Sequence, residues 1–233
     1  MIHPIFTNII NAMPSSIMRP ISKILVNVYV KKYADIKLHN GDELKNTKGP
    51  VIIVANHLSN SDGLILNKIL KDIDPFFVAG TKLNKKNSIS RIGWEALKTV
   101  PINPNTADID AMRKCIGILK DGKAIFIFPE GTRSRTGGLL EGKRGVVLMA
   151  KKSGVPILPI GMTGTGKLMP INDKDMGKEA FTRSEINVNV GKKFFLPERE
   201  DNENKDVFNQ RCINTIMKNI AALIPMEYRG EYK

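Results

Sequence analysis

A chain of 233 residues with 42% hydrophobic and 25% charged residues has the composition of one folded globular domain with a substantial core, which excludes disordered and fibrous classes. Lysine and arginine total 36 against 23 aspartates and glutamates, and the net charge of +13 calls for a polyanionic partner: anionic lipid, an acidic carrier protein, coenzyme A or nucleic acid. Nucleic acid is set aside because no zinc spacing, recognition helix or aromatic-glycine RNA signature is present, and the two cysteines, Cys115 and Cys212, are too few for a disulfide framework.

Residues 1–16 are apolar and broken by Pro4 and Pro14, without the basic start, apolar core and cleavage site of a signal peptide. From Pro20 to Lys32 the spacing predicts an amphipathic helix, with Ile21, Ile24, Leu25 and Val28 on one face and Arg19, Lys23, Lys31 and Lys32 beside it. Such a helix can lie in the interface of an anionic membrane; the same stripe can equally pack on the domain. Residues 1–34 are read as this interfacial segment and 35–233 as the main domain. No apolar run reaches the ~18 residues of a spanning helix, so membrane contact is expected from one side only.

Strands are predicted at Asp35–Leu38, Val51–Val54, Phe76–Ala79, Ala124–Phe128, Val155–Ile160 and Ile186–Val190. Helices are predicted at Ser61–Leu70, Ala107–Leu119, Arg144–Lys152 and Val207–Leu223, with Gly80–Arg91 a basic surface stretch. Pro156 and Pro159 place the fifth of these strands at an edge or a sheet end. The alternation argues for a single layered α/β domain, a mixed, largely parallel sheet flanked by helices and preceded by the amphipathic segment.

Two polar motifs leave strongly apolar strands. After Val51–Ala55 comes Asn56-His57-Leu58-Ser59-Asn60-Ser61-Asp62, and after Ala124–Phe128 comes Pro129-Glu130-Gly131-Thr132-Arg133-Ser134. Imidazole titrates near neutral pH, so His57 suits a general base, and Asp62 could fix its tautomer and stabilise the imidazolium. Ser59-x-x-Asp62 reads equally well as a capping box opening the following helix. In the second motif Arg133 offers a bidentate fork to a phosphate, Gly131 lets the backbone approach it, and Thr132 and Ser134 add hydroxyls. Lys82 and Lys143 are secondary cation candidates for the same anion. No residue pattern points to a metal or an organic cofactor.

These motifs resemble those of the glycerolipid acyltransferases, specifically the 1-acylglycerol-3-phosphate acyltransferase family. Further similarity follows in order: Phe77-Val78-Ala79 with Lys82 and Gly93, then Gly137-Gly138-Leu139-Leu140 with Lys143 and Gly145, then Val155–Ile160 and the tail Pro225–Tyr232. The resemblance implies acyl transfer from a coenzyme A or acyl carrier protein thioester to the sn-2 hydroxyl of 1-acylglycerol-3-phosphate. The product would be phosphatidic acid, made for phospholipid synthesis at the cytoplasmic membrane face, with His57 and Asp62 catalytic. It also implies that Glu130, too negative to bind phosphate itself, orients the arginine or the acceptor hydroxyl. One departure stands out: the family's second motif ends in an arginine, whereas Val100-Pro101-Ile102-Asn103-Pro104-Asn105 contains none. A different lysolipid acceptor therefore stays open, as does an inactive membrane-binding protein on the same fold.

Overall fold

The computed structural model describes residues 13–81, 88–104, 106–172 and 179–233. A helix, α1 (Ser15–Tyr33), runs straight into β1 (Ala34–His39), followed by a short helical turn α2 (Asp42–Lys45) and β2 (Ile52–Ala55). Then come α3 (Asp62–Ile69), β3 (Phe76–Gly80), α4 (Ser88–Ala96), β4 (Thr99–Ile102), α5 (Ile109–Lys120), β5 (Ile125–Ile127) and α6 (Gly145–Ser153). The chain closes with β6 (Ile157–Thr163), the turn α7 (Thr165–Leu168), β7 (Ser184–Val190) and α8 (Lys205–Ala221).

Among the described residues seven strands form one sheet in the order β1-β7-β6-β2-β5-β3-β4. All neighbours are parallel except β6 and β7, so the β1–β7 pair runs against the other five strands. The sheet is thus mixed and largely parallel, as expected. Strand β2 sits inside it, and its alternation divides the core into two layers. Ile52 and Val54 pack into a cluster with Cys115 and Leu119 of α5, Val146 and Met149 of α6, and Ile213 and Ile216 of α8. Val51, Ile53 and Ala55 face the other way, toward Val30 of α1 and Leu64, Ile65 and Leu66 of α3.

Three expectations are corrected. Strand β6 is not at an edge: it pairs β2 on one side and β7 on the other. Pro156 precedes the strand, and Pro159 inside it is tolerated because the antiparallel ladder to β7 begins only at Ile160, so its missing N–H falls in a gap; there Gly191 N–H donates to the Pro159 carbonyl at 2.9 Å. Pro101, by contrast, lies in the edge strand β4. The first helix starts at Ser15, not Pro20, so Pro20 lies inside it on an exposed position and leaves one helical hydrogen bond unmade. Residues 82–87 of the Gly80–Arg91 stretch lie outside the described residues; its last residues open helix α4, whose Glu95 is buried and accepts from Ser15 Oγ at 2.7 Å and Arg19 Nε at 3.4 Å. Arg19 is therefore ion-paired within the protein and not a free cation of the amphipathic face.

The stripe on α1 also resolves into faces. Met18, Ser22 and Val30 turn inward, whereas Ile24 is 65% and Val28 55% exposed, with Ile17, Ile21 and Leu25 exposed alongside. Among the described residues no helix is long and apolar enough to cross a membrane.

Candidate active site

Strands β2 and β5 are parallel neighbours with Val54 opposite Ile127. His57 and Glu130 each lie three residues beyond that pair, so the register alone carries both motifs to the same rim of the sheet. From there α3 leaves toward one layer and the chain to α6 toward the other. A crevice outside the carboxyl ends of two such strands is where ligands bind in open α/β sheets.

The turn after β2 is folded around one oxygen. Asp62 Oδ2, completely buried, accepts from His57 Nδ1 at 2.7 Å and from the backbone N–H groups of Leu58 at 2.6 Å and Ser59 at 2.8 Å. Asp62 thus holds the imidazole and closes the turn through two amides, but the expected capping box does not form: Ser61 is the N-cap, no side chain caps the helix, and Ser59 Oγ accepts from Ser61 N–H at 3.2 Å and donates to the Met169 carbonyl at 2.8 Å. A carboxylate can only accept, so Nδ1 carries the proton and Nε2 keeps its lone pair. The ring is stacked on Phe128 with centroids 3.8 Å apart and planes 7° apart, and its side chain remains 17% exposed. Asn56, just before it, exchanges two hydrogen bonds with the backbone of Met162, at 2.8 and 2.7 Å, and so extends the β2–β6 ladder with a side chain.

The second motif grips the first by its backbone. His57 N–H donates to Glu130 Oε1 at 2.7 Å, Leu140 N–H donates to Glu130 Oε2 at 2.8 Å, and Ser134 N–H donates to the His57 carbonyl at 2.7 Å. Burial pushes the Glu130 carboxyl up to about 7, against the pull of the Leu140 and His57 amides, and the charge of Asp62 adds to the rise. Glu130 therefore holds the two motif backbones together; its carboxylate bonds are to amides and not to Arg133. Ser134 is buried and its hydroxyl donates to the Gly138 carbonyl at 2.5 Å, inside the loop. Gly131 has φ +68, the conformation that makes the turn and favours glycine, and both it and Thr132 are exposed. Lys143 is exposed; its N–H donates to the Pro129 carbonyl at 2.7 Å and its stem passes beside Gly131. Lys82 lies outside the described residues.

Arg133 is held by a residue that motif reading did not single out. Its Nη1 donates to Glu179 Oε1 at 2.7 Å, and Asn60 of the first motif donates from Nδ2 to Glu179 Oε2 at 2.6 Å. Glu179 belongs to no recognisable motif, and only the fold shows it to be buried. Where the resembled family carries its second-motif arginine this chain has Asn103 or Pro104, and Asn103 closes a loop on Asp108, donating from N–H at 2.9 Å and from Nδ2 at 3.0 Å. These backbone and side-chain donors, the Asn103 amide first, hold the Asp108 carboxyl below its ordinary value, and Asp108 also caps α5 through Ala111 N–H. The thiols take no part: Cys115 and Cys212 are both buried, and burial pushes Cys115 up to about 11.

A base with a fixed tautomer, beside a turn presenting a guanidinium and exposed polar groups, is equipped to deprotonate a hydroxyl on an anionic molecule. The chain is 32% identical to the chloroplastic 1-acyl-sn-glycerol-3-phosphate acyltransferase of Arabidopsis thaliana over 154 residues, 64% of this chain and 42% of that protein. It is 32% identical to the probable 1-acyl-sn-glycerol-3-phosphate acyltransferase of Mycoplasma genitalium over 192 residues, 79% of this chain and 68% of that protein. The crystal structure of the 1-acyl-sn-glycerophosphate (LPA) acyltransferase PlsC from Thermotoga maritima shares the fold, with a TM-score of 0.61 at 22% identity over 90% of this chain and 79% of that one. The chain spans about half the length of the plant and algal relatives it matches, from 42% to 50%. The family model for acyltransferases matches residues 35–163, more than half of the chain, and the protein belongs to that acyltransferase family.

Proposed function

We propose that this protein moves a fatty acyl group from a coenzyme A or acyl carrier protein thioester to the sn-2 hydroxyl of 1-acylglycerol-3-phosphate, yielding phosphatidic acid. The observation that carries this reading is the joining of the two motifs: His57, with Nδ1 committed to Asp62, is clamped through its own N–H to Glu130 of the turn that bears Arg133. The acceptor phosphate would meet Arg133, the exposed Gly131–Thr132 turn and Lys143, which points the glycerol hydroxyl at Nε2. Nε2 takes the hydroxyl proton as the oxygen attacks the thioester carbonyl. A C–O bond forms, the C–S bond breaks, and the imidazolium returns the proton to the departing thiolate. Asp62 stabilises the imidazolium in between. The acceptor attacks directly, with no covalent enzyme intermediate.

The apolar face exposed on α1, with Lys23, Lys31 and Lys32 exposed beside it, supports peripheral attachment to an anionic membrane, where such an acceptor resides. A second reading, a lysolipid with a smaller anionic demand, is favoured by one observation: at the arginine-free second motif the loop closes on the carboxylate Asp108. Purified protein incubated with a panel of lysolipids and both thioester donors decides the matter, with thiol release and lipid product followed together. Phosphatidic acid formed in step with thiol release supports the main reading. Product from another lysolipid alone supports the second, and thiol release independent of any acceptor overturns both.

A further inference from the structure

We propose that Glu179 is a positioning residue that sets acceptor affinity, by holding Arg133 of the second motif and Asn60 of the first in fixed relation before the acceptor arrives. This rests on the reading of Arg133 as the acceptor's phosphate ligand. Glu179 is 4% exposed, and its carboxylate accepts from three donors drawn from three separate parts of the chain. Arg133 Nη1 at 2.7 Å and Asn172 N–H at 3.1 Å meet Oε1, and Asn60 Nδ2 at 2.6 Å meets Oε2. A carboxylate is buried at high cost unless paired and fully hydrogen-bonded, and this one is both.

The geometry explains what the pairing accomplishes. Asn60 lies in the turn between His57 and Asp62, while Arg133 lies in the turn whose Glu130 clamps His57 from the other side. Glu179 thus closes a ring, from base to second motif to Arg133 to Glu179 to Asn60 and back to the base. A free arginine side chain has many rotamers, and ordering it at the moment of binding weakens affinity. Pairing with Glu179 orders it beforehand, and because a guanidinium has five N–H donors, the bond from Nη1 leaves the rest of the fork for a phosphate. The Arg133 side chain, 14% exposed, is buried enough for the pairing to be shielded from solvent and still open to a ligand.

The test is a double-mutant cycle. Acceptor KM, donor KM and kcat are measured for the wild type, Arg133→Ala, Glu179→Ala, Glu179→Gln and the Arg133→Ala/Glu179→Ala pair. Glu179→Ala should raise acceptor KM about tenfold with donor KM unchanged, and should add nothing once Arg133 is gone. Glu179→Gln should recover most of the loss, since its carbonyl still accepts from Arg133 and Asn60 can turn its amide to meet the new NH2 group. Should Glu179→Ala fail to fold, the smaller rise expected for Glu179→Gln must likewise vanish in the Arg133→Ala background. An acceptor KM left at the wild-type value, or a rise that persists undiminished without Arg133, overturns the proposal. If Arg133→Ala by itself leaves acceptor KM untouched, the phosphate assignment fails, and that failure is distinct from one in which only the Glu179 variants are silent.

Discussion

Asp62 serves the fold and the candidate chemistry with the same oxygen, and this makes its substitution informative. Oδ2 accepts three hydrogen bonds, whereas Oδ1 is buried without a partner among the described residues. Asparagine can place its carbonyl where Oδ2 sits and keep all three donors, with its NH2 group in the space of Oδ1. Asp62→Asn should therefore unfold only slightly earlier yet lose at least about 100-fold in kcat, because the charge that stabilises the imidazolium is gone. Activity and thermal unfolding measured on one preparation check this; a large drop in Tm with turnover retained would reduce Asp62 to a structural role in the turn. Glu130 leads to a pH prediction. Its folded value of about 7 lies above the ordinary 4.5, so its stabilising contribution is full below pH 4.5 and is lost as pH rises through 7. The amount is on the order of 3 kcal/mol. Glu130→Gln cannot ionise, so its Tm relative to the wild type should improve between pH 5 and pH 8. A difference constant across that range would show that Glu130 does not titrate there.

Among the elements, the C-terminal tail bears most directly on the site. After α8 the chain makes a short 3-10 turn, Met226–Tyr228, and the Tyr228 carbonyl accepts from Leu139 N–H at 2.8 Å. The next residue along, Leu140, donates to Glu130, which in turn holds His57. Gly230 has φ +56, and a Cβ there would come 2.2 Å from the Leu139 carbonyl oxygen. Gly230→Ala thus combines left-handed strain of roughly 1–2 kcal/mol with a backbone clash, and should push the tail off the loop. The expected result is a several-fold fall in kcat together with a lower Tm. Unchanged turnover per folded molecule would mean that the tail covers the loop without tuning it.

At the scale of the whole molecule, the net charge of +13 and the exposed apolar face of α1 point the same way. Each basic residue near an anionic surface contributes about 1 kcal/mol. Lys31 and Lys32, both exposed at the end of α1, are the cleanest to reverse, since Arg19 is tied to Glu95. Lys31→Glu with Lys32→Glu should lower sedimentation with anionic vesicles, and moderate salt should mimic it, because exposed charges are screened over ~10 Å at 0.1 M. Activity on a short-chain, water-soluble acceptor should be preserved. Vesicle binding equal to the wild type would place the contact on another surface.

The features legible in the sequence are local in character. The apolar runs at Ile52–Ala55 and Ile125–Ile127, the helical periodicity of Ile109–Lys120 and the two polar motifs can all be read from neighbouring residues. The pairing of His57 with Asp62 follows from their being five apart in a turn. Relations between distant segments emerged only in the folded chain. Pro159 sits in an interior strand because a ladder gap opposite Gly191 tolerates it, and no strand reports its own neighbours. Glu130 faces His57 because Val54 and Ile127 are in parallel register, and register is a property of two strands together. The outward face of α1 depended on whether Met18, Ser22 and Val30, rather than the apolar stripe, turned toward the protein. Glu179 carried no signal at all, because the burial that gives a lone carboxylate its significance is created by the chains folded around it.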